Sequence, residues 1–334
     1  MSPLVLWVGA LIHVCLVLYT LLGGADLGAG FWDLAATGPR ADDQRRLIER
    51  SLQGTWELNH LMLAALVGLL FFGFPAAYYA IGTALFLPLA LGLLAFVVRG
   101  TAFVFRRFDA GLANSWSVWS RIFGLSSAVA PFALGVCLGA TASGRIRHGL
   151  DAPRPTLTDA WLLPFPLATG LLVLSVCAFL SAAYLTMEAD DDALREAFRR
   201  RALAAAVAVT ISAWLTFFTA WTGAPHLVDG LWRSWWAMPF QLATSGIGVA
   251  LLAALVRRRY ALARALAVVQ VAALVSGFNA AQLPYLVPPD LTLASAAASD
   301  DVLRAVAIVL TTVLALLGPA YAWLLGALTA ARDG

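Results

Sequence analysis

Lysine is absent from this chain: all 22 basic side chains are arginine. The uniform choice of arginine reflects genomic base composition more than chemistry. Charge of either sign is scarce as well. Charged residues fill 12% of the 334 positions against 61% hydrophobic ones, and mean hydropathy is +0.82. Soluble domains carry roughly 25% charged residues, so this composition describes a polytopic membrane protein rather than a globular domain with one anchor. The formal charge of +3 is small and the arginines are scattered between apolar runs, which argues against nucleic-acid binding. There are only three cysteines, Cys15, Cys137 and Cys177. All lie in apolar runs without a C-x-x-C pair, the pattern of buried free thiols rather than a disulfide or metal site. No Gly-Lys-Ser/Thr follows any glycine cluster, so a nucleotide loop is excluded. No basic residue precedes Leu4, and the first apolar run is too long for a signal-peptide core. It reads as a retained transmembrane helix.

What is present is a series of apolar runs of bilayer length. Nine are expected, near 4–26, 53–72, 77–98, 118–141, 164–186, 202–222, 238–256, 261–283 and 303–329. The second and third are parted only by Gly73-Phe74-Pro75, and no soluble domain fits between any two. Arginine alternates between the two sides. Arg40, Arg45, Arg46 and Arg50 follow the first run, Arg99, Arg106, Arg107 and Arg121 the third, Arg195 and Arg199 to Arg201 the fifth, and Arg257 to Arg259 and Arg264 the seventh. The opposite side has Arg145, Arg147, Arg154, Arg233 and Arg304. The positive-inside rule then places the N-terminus outside and the C-terminus in the cytoplasm, which requires an odd number of spans. Trp161, Trp232, Trp235 and Trp236 fall near expected outer boundaries and read as an aromatic belt.

Against this apolar background, ionisable residues inside the runs stand out. Asp26 lies in Gly23-Gly24-Ala25-Asp26-Leu27-Gly28-Ala29-Gly30. A carboxylate in hydrocarbon costs at least a few kcal/mol unless a partner, a water-filled cavity or a proton-handling task offsets it. The neighbouring glycines permit another helix to approach closely and bury it in protein. Leu4 to Asp26 is 22 residues, roughly 33 Å of helix, so Asp26 falls at the cytoplasmic end of the first run. Glu57, one turn into the second, and Arg99, ending the third, share that layer. Two readings stay open: an ion pair with Arg99 that fastens three helices, or acids that carry protons inward from the cytoplasm. His60 makes Glu-x-x-His with Glu57, but the spans lack the second pair and further carboxylates of a di-iron bundle. It reads as a hydrogen-bonding neighbour of Glu57. His13 falls near mid-membrane, where a buried, hydrogen-bonded histidine is the commoner case than a haem ligand. His148 and His226 fall in outer loops.

Three blocks occur in order along the chain. The first is Gly24-Ala25-Asp26-Leu27-Gly28-Ala29-Gly30. The second is Thr55-Trp56-Glu57-Leu58-Asn59-His60, followed by Phe74-Pro75-Ala76-Ala77-Tyr78. The third is Arg99-Gly100-x-x-Phe103-x-Phe105-Arg106. Together they resemble subunit II of the cytochrome bd-type quinol oxidases. Weaker echoes occur at Ala183-Tyr184-Leu185, around Pro284-Tyr285 to Ser299, and at Pro319, Tyr321 and Trp323. Leu58, His60, Met62 and Val104 depart from the family pattern and mark a divergent member.

The resemblance implies an all-α integral-membrane chain: a first four-helix bundle (1–142), a second (160–284) and one peripheral helix (302–330). It implies residence in the bacterial cytoplasmic (inner) membrane and a haem-bearing partner, subunit I, that oxidises quinol and reduces oxygen to water. Subunit II is then expected to ligate no haem or metal, to support assembly, and to contribute Asp26 and Glu57 to proton uptake, with Trp56, Asn59, His60 and Arg99 around them. A quinone bound in this subunit and small accessory membrane subunits are left open. The rival reading is a proton-coupled secondary transporter with Asp26 and Glu57 as coupling acids. Its substrate site would sit near the midplane in broken helices, whereas these acids lie near one face.

Overall fold

Chain chemistry at Ser2-Pro3 starts the first helix. In α1 (Pro3–Leu34) the Ser2 hydroxyl accepts from the Val5 N–H at 3.3 Å, and Pro3 occupies the first turn, where its missing N–H costs nothing. The computed structural model describes residues 1–52, 56–109, 118–149 and 157–333. The side chains of 56–57, 107–109 and 317–333 lie outside that description. At 32 residues, α1 is about 48 Å long, well beyond a hydrocarbon core of about 30 Å. Helix α2 (Ala41–Leu52) is amphipathic, burying Gln44, Leu47, Ile48 and Leu52 along one stripe.

The second expected run becomes α3 (Trp56–Gly68) and a π-helical turn, Leu69–Gly73. The chain then bends by 115° at Phe74 into α4 (Pro75–Ala84). Pro75 supplies no N–H to continue the ladder, and its ring disfavours a helical residue before it. With ten residues, α4 is about 15 Å long and too short to cross. The crossing helix is α5 (Phe86–Asp109), separated from α4 by Leu85 at φ −110°, ψ 22°. The third expected run, 77–98, is therefore corrected: its first part turns aside as α4, and the span runs further along the chain. Apolar side chains continue unbroken through Leu85, so composition carries no mark of the change in direction.

Helices α6 (Val118–Ala142), α7 (Pro164–Glu188) and α8 (Asp192–Gly223) follow, then a short amphipathic α9 (Pro225–Arg233). After α10 (Ala237–Val256) and α11 (Tyr260–Gln282) comes a small antiparallel hairpin. Its strands β1 (Tyr285–Val287) and β2 (Leu291–Thr292) set Tyr285 opposite Thr292 and Val287 opposite Leu291. Helix α12 (Asp300–Asp333) closes the chain. Among the described residues seven helices are long and apolar enough to cross a bilayer, or eight if the bent α3–α4 pair is one span. The remaining expected run falls on α12.

Helix α1 is the hub, packed against α3, α6, α7, α11 and α12. Its glycines make this possible. A Cβ on Gly28 would collide with the Cys177 carbonyl of α7, and one on Gly30 with the Ser127 hydroxyl of α6. One apolar core surrounds the C-terminal half of α1 with α2, α7, α8, α10 and α11; a second surrounds its N-terminal half with the π-turn, α4, the hairpin and α12. The three cysteines are buried and free.

Candidate functional site: an ionic ladder between α1 and α5

Close packing of α1 on α6 and α7 removes Asp26 from both lipid and water: its side chain is 2% exposed, and that of Arg99 on α5 is 3%. The Arg99 Nη2 donates to Asp26 Oδ1 at 2.7 Å and reaches the Asp26 backbone carbonyl at 3.2 Å. Asn59 of α3 donates its Nδ2–H to Asp26 Oδ2 at 2.9 Å. Arg99 Nε donates to the Ser127 hydroxyl of α6 at 2.8 Å, and Ser127 in turn donates to the Phe123 carbonyl at 2.7 Å. The Phe123 ring lies 4.8 Å from the Arg99 guanidinium carbon, a cation–π contact. Both carboxylate oxygens thus have fixed donors, which is the condition under which a buried ion pair holds.

A second rung lies two turns further along both helices. Asp33, with a fully buried side chain, faces Arg106 Nη2 at 3.1 Å. Arg106 also approaches Glu49 of α2 at 3.8 Å and lies 5.6 Å from the Phe123 ring, so that one aromatic ring borders both guanidinium groups. Asp26 and Asp33 are seven residues apart, as are Arg99 and Arg106. Pairing both in the same order requires α1 and α5 to run parallel, as the first and third of three successive crossings must.

Beyond the second rung, α1 ends among cations that suit its last carbonyls. Arg45 donates to the Ala36 carbonyl at 2.9 Å, and Arg201 to the Ala35 carbonyl at 3.4 Å. Arg201 also bonds Gln44 and lies over the Trp32 and Phe198 rings. Arg40 holds Asp191 through two hydrogen bonds of 3.0 and 2.6 Å, and Arg50 holds Asp190 at 2.8 Å. These contacts fasten the α1–α2 segment to the α7–α8 junction.

Of the residues singled out from sequence, the structure brings Asp26, Asn59 and Arg99 into one cluster. His60 lies beside it, lining a crevice with Tyr19, Gly23, Leu27 and Phe96. Trp56 and Glu57 begin α3, but their side chains fall outside the described residues. Asp33, Glu49, Arg106 and Ser127 were missed; the paired seven-residue spacings were the available signal for the second rung. His13 is elsewhere, tied to α11. Ser276 donates its hydroxyl to the Ala272 carbonyl and so accepts from His13 Nε2 at 3.1 Å, while Asn279 Nδ2 donates to His13 Nδ1 at 2.8 Å. Both ring nitrogens of His13 are thus engaged by α11. No three His, Cys, Asp or Glu side chains among the described residues converge on a metal-sized site.

A family model described as cytochrome bd terminal oxidase subunit II matches residues 4–327. The "Putative cytochrome bd menaquinol oxidase subunit II" of Bacillus subtilis (strain 168) is 25% identical over 300 residues, covering 86% of this chain and 85% of that relative. The cytochrome bd-I ubiquinol oxidase subunit 2 of Escherichia coli (strain K12) is 27% identical over 182 residues, 53% of this chain and 47% of that relative. The alignment therefore spans about half the length of the second protein. The fold is similar to a chain in the structure of bd oxidase from Geobacillus thermodenitrificans, with a TM-score of 0.81 and 23% identity over 97% of this chain and 98% of that one. With nearly its whole length matched, this chain belongs to the cytochrome bd terminal oxidase subunit II family.

Proposed function

We propose that the chain acts as the non-haem subunit of a bd-type quinol:oxygen oxidoreductase in a bacterial cytoplasmic membrane, its N-terminus outside and its C-terminus in the cytoplasm. In this reading it supports assembly with a haem-bearing subunit I and contributes acidic residues to proton uptake from the cytoplasm. The haems of the partner supply electron transfer from quinol to oxygen. Water formation consumes protons, and a carboxylate layer toward the arginine-rich side is where they would be collected. The observation that carries the reading is the cluster of Asp26, Asn59 and Arg99, one residue from each of the three blocks that carry the family resemblance. There Arg99 pairs with Asp26, Asn59 holds its second oxygen, and Ser127 with the Phe123 ring holds Arg99.

The test uses the complex isolated through this chain, measuring haem per complex and quinol-driven oxygen consumption. Asp26→Asn retains an acceptor for Arg99, and both it and Glu57→Gln are expected to slow oxygen consumption with the haem complement unchanged. Full turnover in both variants contradicts the proton role. A complex without haem contradicts the partner assignment.

A further inference from the structure

The two rungs of the ladder hold their carboxylates differently: Asp26 is fully hydrogen-bonded and Asp33 is not. Asp26 is matched one-to-one by Arg99, and each of its oxygens accepts from a fixed donor. Asp33 is just as buried, but its Oδ1 lies at 3.1 Å from Arg106 without hydrogen-bond alignment, and its Oδ2 has no hydrogen-bond partner among the described residues. The lone pairs of Asp33 are thus unengaged by donors among the described residues and open to a proton.

The charges around Asp33 sharpen the contrast. Arg106 faces it from α5, and Glu49 and Arg45 face it from α2, while α6 presents the Phe123 ring. Arg45 is matched by Asp42 at 3.1 Å and by the Ala36 carbonyl. On α8, Arg201 is engaged by Gln44 and the Ala35 carbonyl. Among the described residues the triad of Asp33, Glu49 and Arg106 itself sets one guanidinium against two carboxylates, with Arg45 the next cation toward Asp33. Glu49 is 34% exposed, so the same triad reaches from solvent to the interior.

We propose that Asp33, Glu49 and Arg106 form a proton-loading station on the cytoplasmic side of the Asp26 layer, a reading that rests on the proton-uptake role argued above. A proton from water forms an O–H bond at Glu49; that bond breaks as a new one forms at Asp33. Arg106 keeps its own proton throughout and pairs with whichever carboxylate is ionised. Loading brings the triad to neutrality. Asp26, paired with Arg99 and Asn59, lies seven residues away, about 10 Å along the α1 axis.

The experiment is quinol-driven oxygen consumption against pH in the haem-loaded complex isolated through this chain. Asp33→Asn is expected to lower turnover by about tenfold or more, within the range for loss of a positioned proton carrier, with haem per complex unchanged. Asp33→Glu, which restores the carboxyl, is expected to recover most of that loss, a rescue that packing alone would not give. Glu49→Gln leaves Asp33 matched by Arg106 and weakens its hold on the proton. The alkaline fall of turnover is therefore expected to move to lower pH by about one unit. Unchanged turnover in Asp33→Asn with an unshifted profile in Glu49→Gln overturns the proposal. If Asp33→Asn fails to assemble, the half-exposed Glu49→Gln decides, and an unshifted profile there overturns it equally. Slowed Asp26→Asn and Glu57→Gln beside unaffected Asp33 and Glu49 variants would sink the loading station and leave the wider proton role standing. A wild-type complex without quinol-driven oxygen consumption would remove both.

Discussion

A guanidinium cannot lose its proton at any pH a cell reaches, so a buried arginine must be answered by its surroundings. Arg99 is answered by Asp26, Ser127 and the Phe123 face, and the Asp26 carboxylate is completed by Asn59. Removing one side of such a pair leaves the other charge buried and alone, at a cost of about 3–5 kcal/mol. Arg99→Met is expected to lower the thermal midpoint of the purified complex accordingly. The double variant Asp26→Asn/Arg99→Met is expected to lose clearly less than the sum of the two single losses. Additive losses would show that the pair is not coupled. Asp26 and Arg99 were legible in the sequence because a charge inside an apolar run is costly and therefore conspicuous. Asn59 was reached through the family pattern. Ser127 was not legible, since a serine in a helix commonly returns its hydroxyl to its own backbone, as Ser126 and Ser175 do here. Asp33 lies beyond a first run that ends at Asp26, and Arg106 enters the sequence reading only as a topological arginine and as the last residue of the third block.

At the scale of elements, α1 is defined by what it lacks on the side facing α6 and α7. Gly28→Ala would press a methyl group into the backbone of α7 at Cys177. Overpacking typically costs about 1–3 kcal/mol, and an obstructing carbonyl cannot rotate away. We expect Gly28→Ala to lower the yield and thermal midpoint of the assembled complex. Gly246→Ala in α10, where nothing lies within 4 Å, is expected to leave the midpoint unchanged or raise it by up to about 1 kcal/mol in stability. Equal effects would contradict the packing of α1 on α7. The clasp between the α1–α2 and α7–α8 segments makes a pH prediction. Hydrogen bonds from Arg40, then the Leu194 N–H, hold the Asp191 carboxyl well below the usual carboxylate range. A depressed folded-state value gives stability that is complete above the unfolded value near ~3.9 and is lost as pH falls further. Amide-exchange protection around Arg40 and at the start of α8 is therefore expected to hold from neutral pH down to about 4 and to decline only below it. Loss of protection between about pH 7 and 5 would place the clasp on another group. Length and hydropathy made most crossings legible, as with α6 and α7, whose bounds lie within a few residues of the expected runs. The turn into α4 was not, because direction leaves no trace in composition. Helices α2 and α9 are short and amphipathic, below the scale of a bilayer-length search.

For the whole molecule, the parallel pairing of Asp26 with Arg99 and Asp33 with Arg106 agrees with the alternation of arginine along the chain. The ladder thus sits at the ends of α1 and α5 that lead into arginine-rich segments. The family match over residues 4–327 gives this geometry its context. It also shows why function was only partly legible: the chain's chemistry is completed by another subunit, and a partner's ligands leave no mark in this sequence beyond the blocks that resemble the family. The most direct test of the central claim is gentle isolation of this chain from its native membrane, followed by a reduced-minus-oxidised absorbance spectrum of the product. The account predicts a second polytopic subunit, haem bands in fixed ratio to this chain, and oxygen consumption driven by quinol. A stable, colourless chain that purifies alone would contradict it.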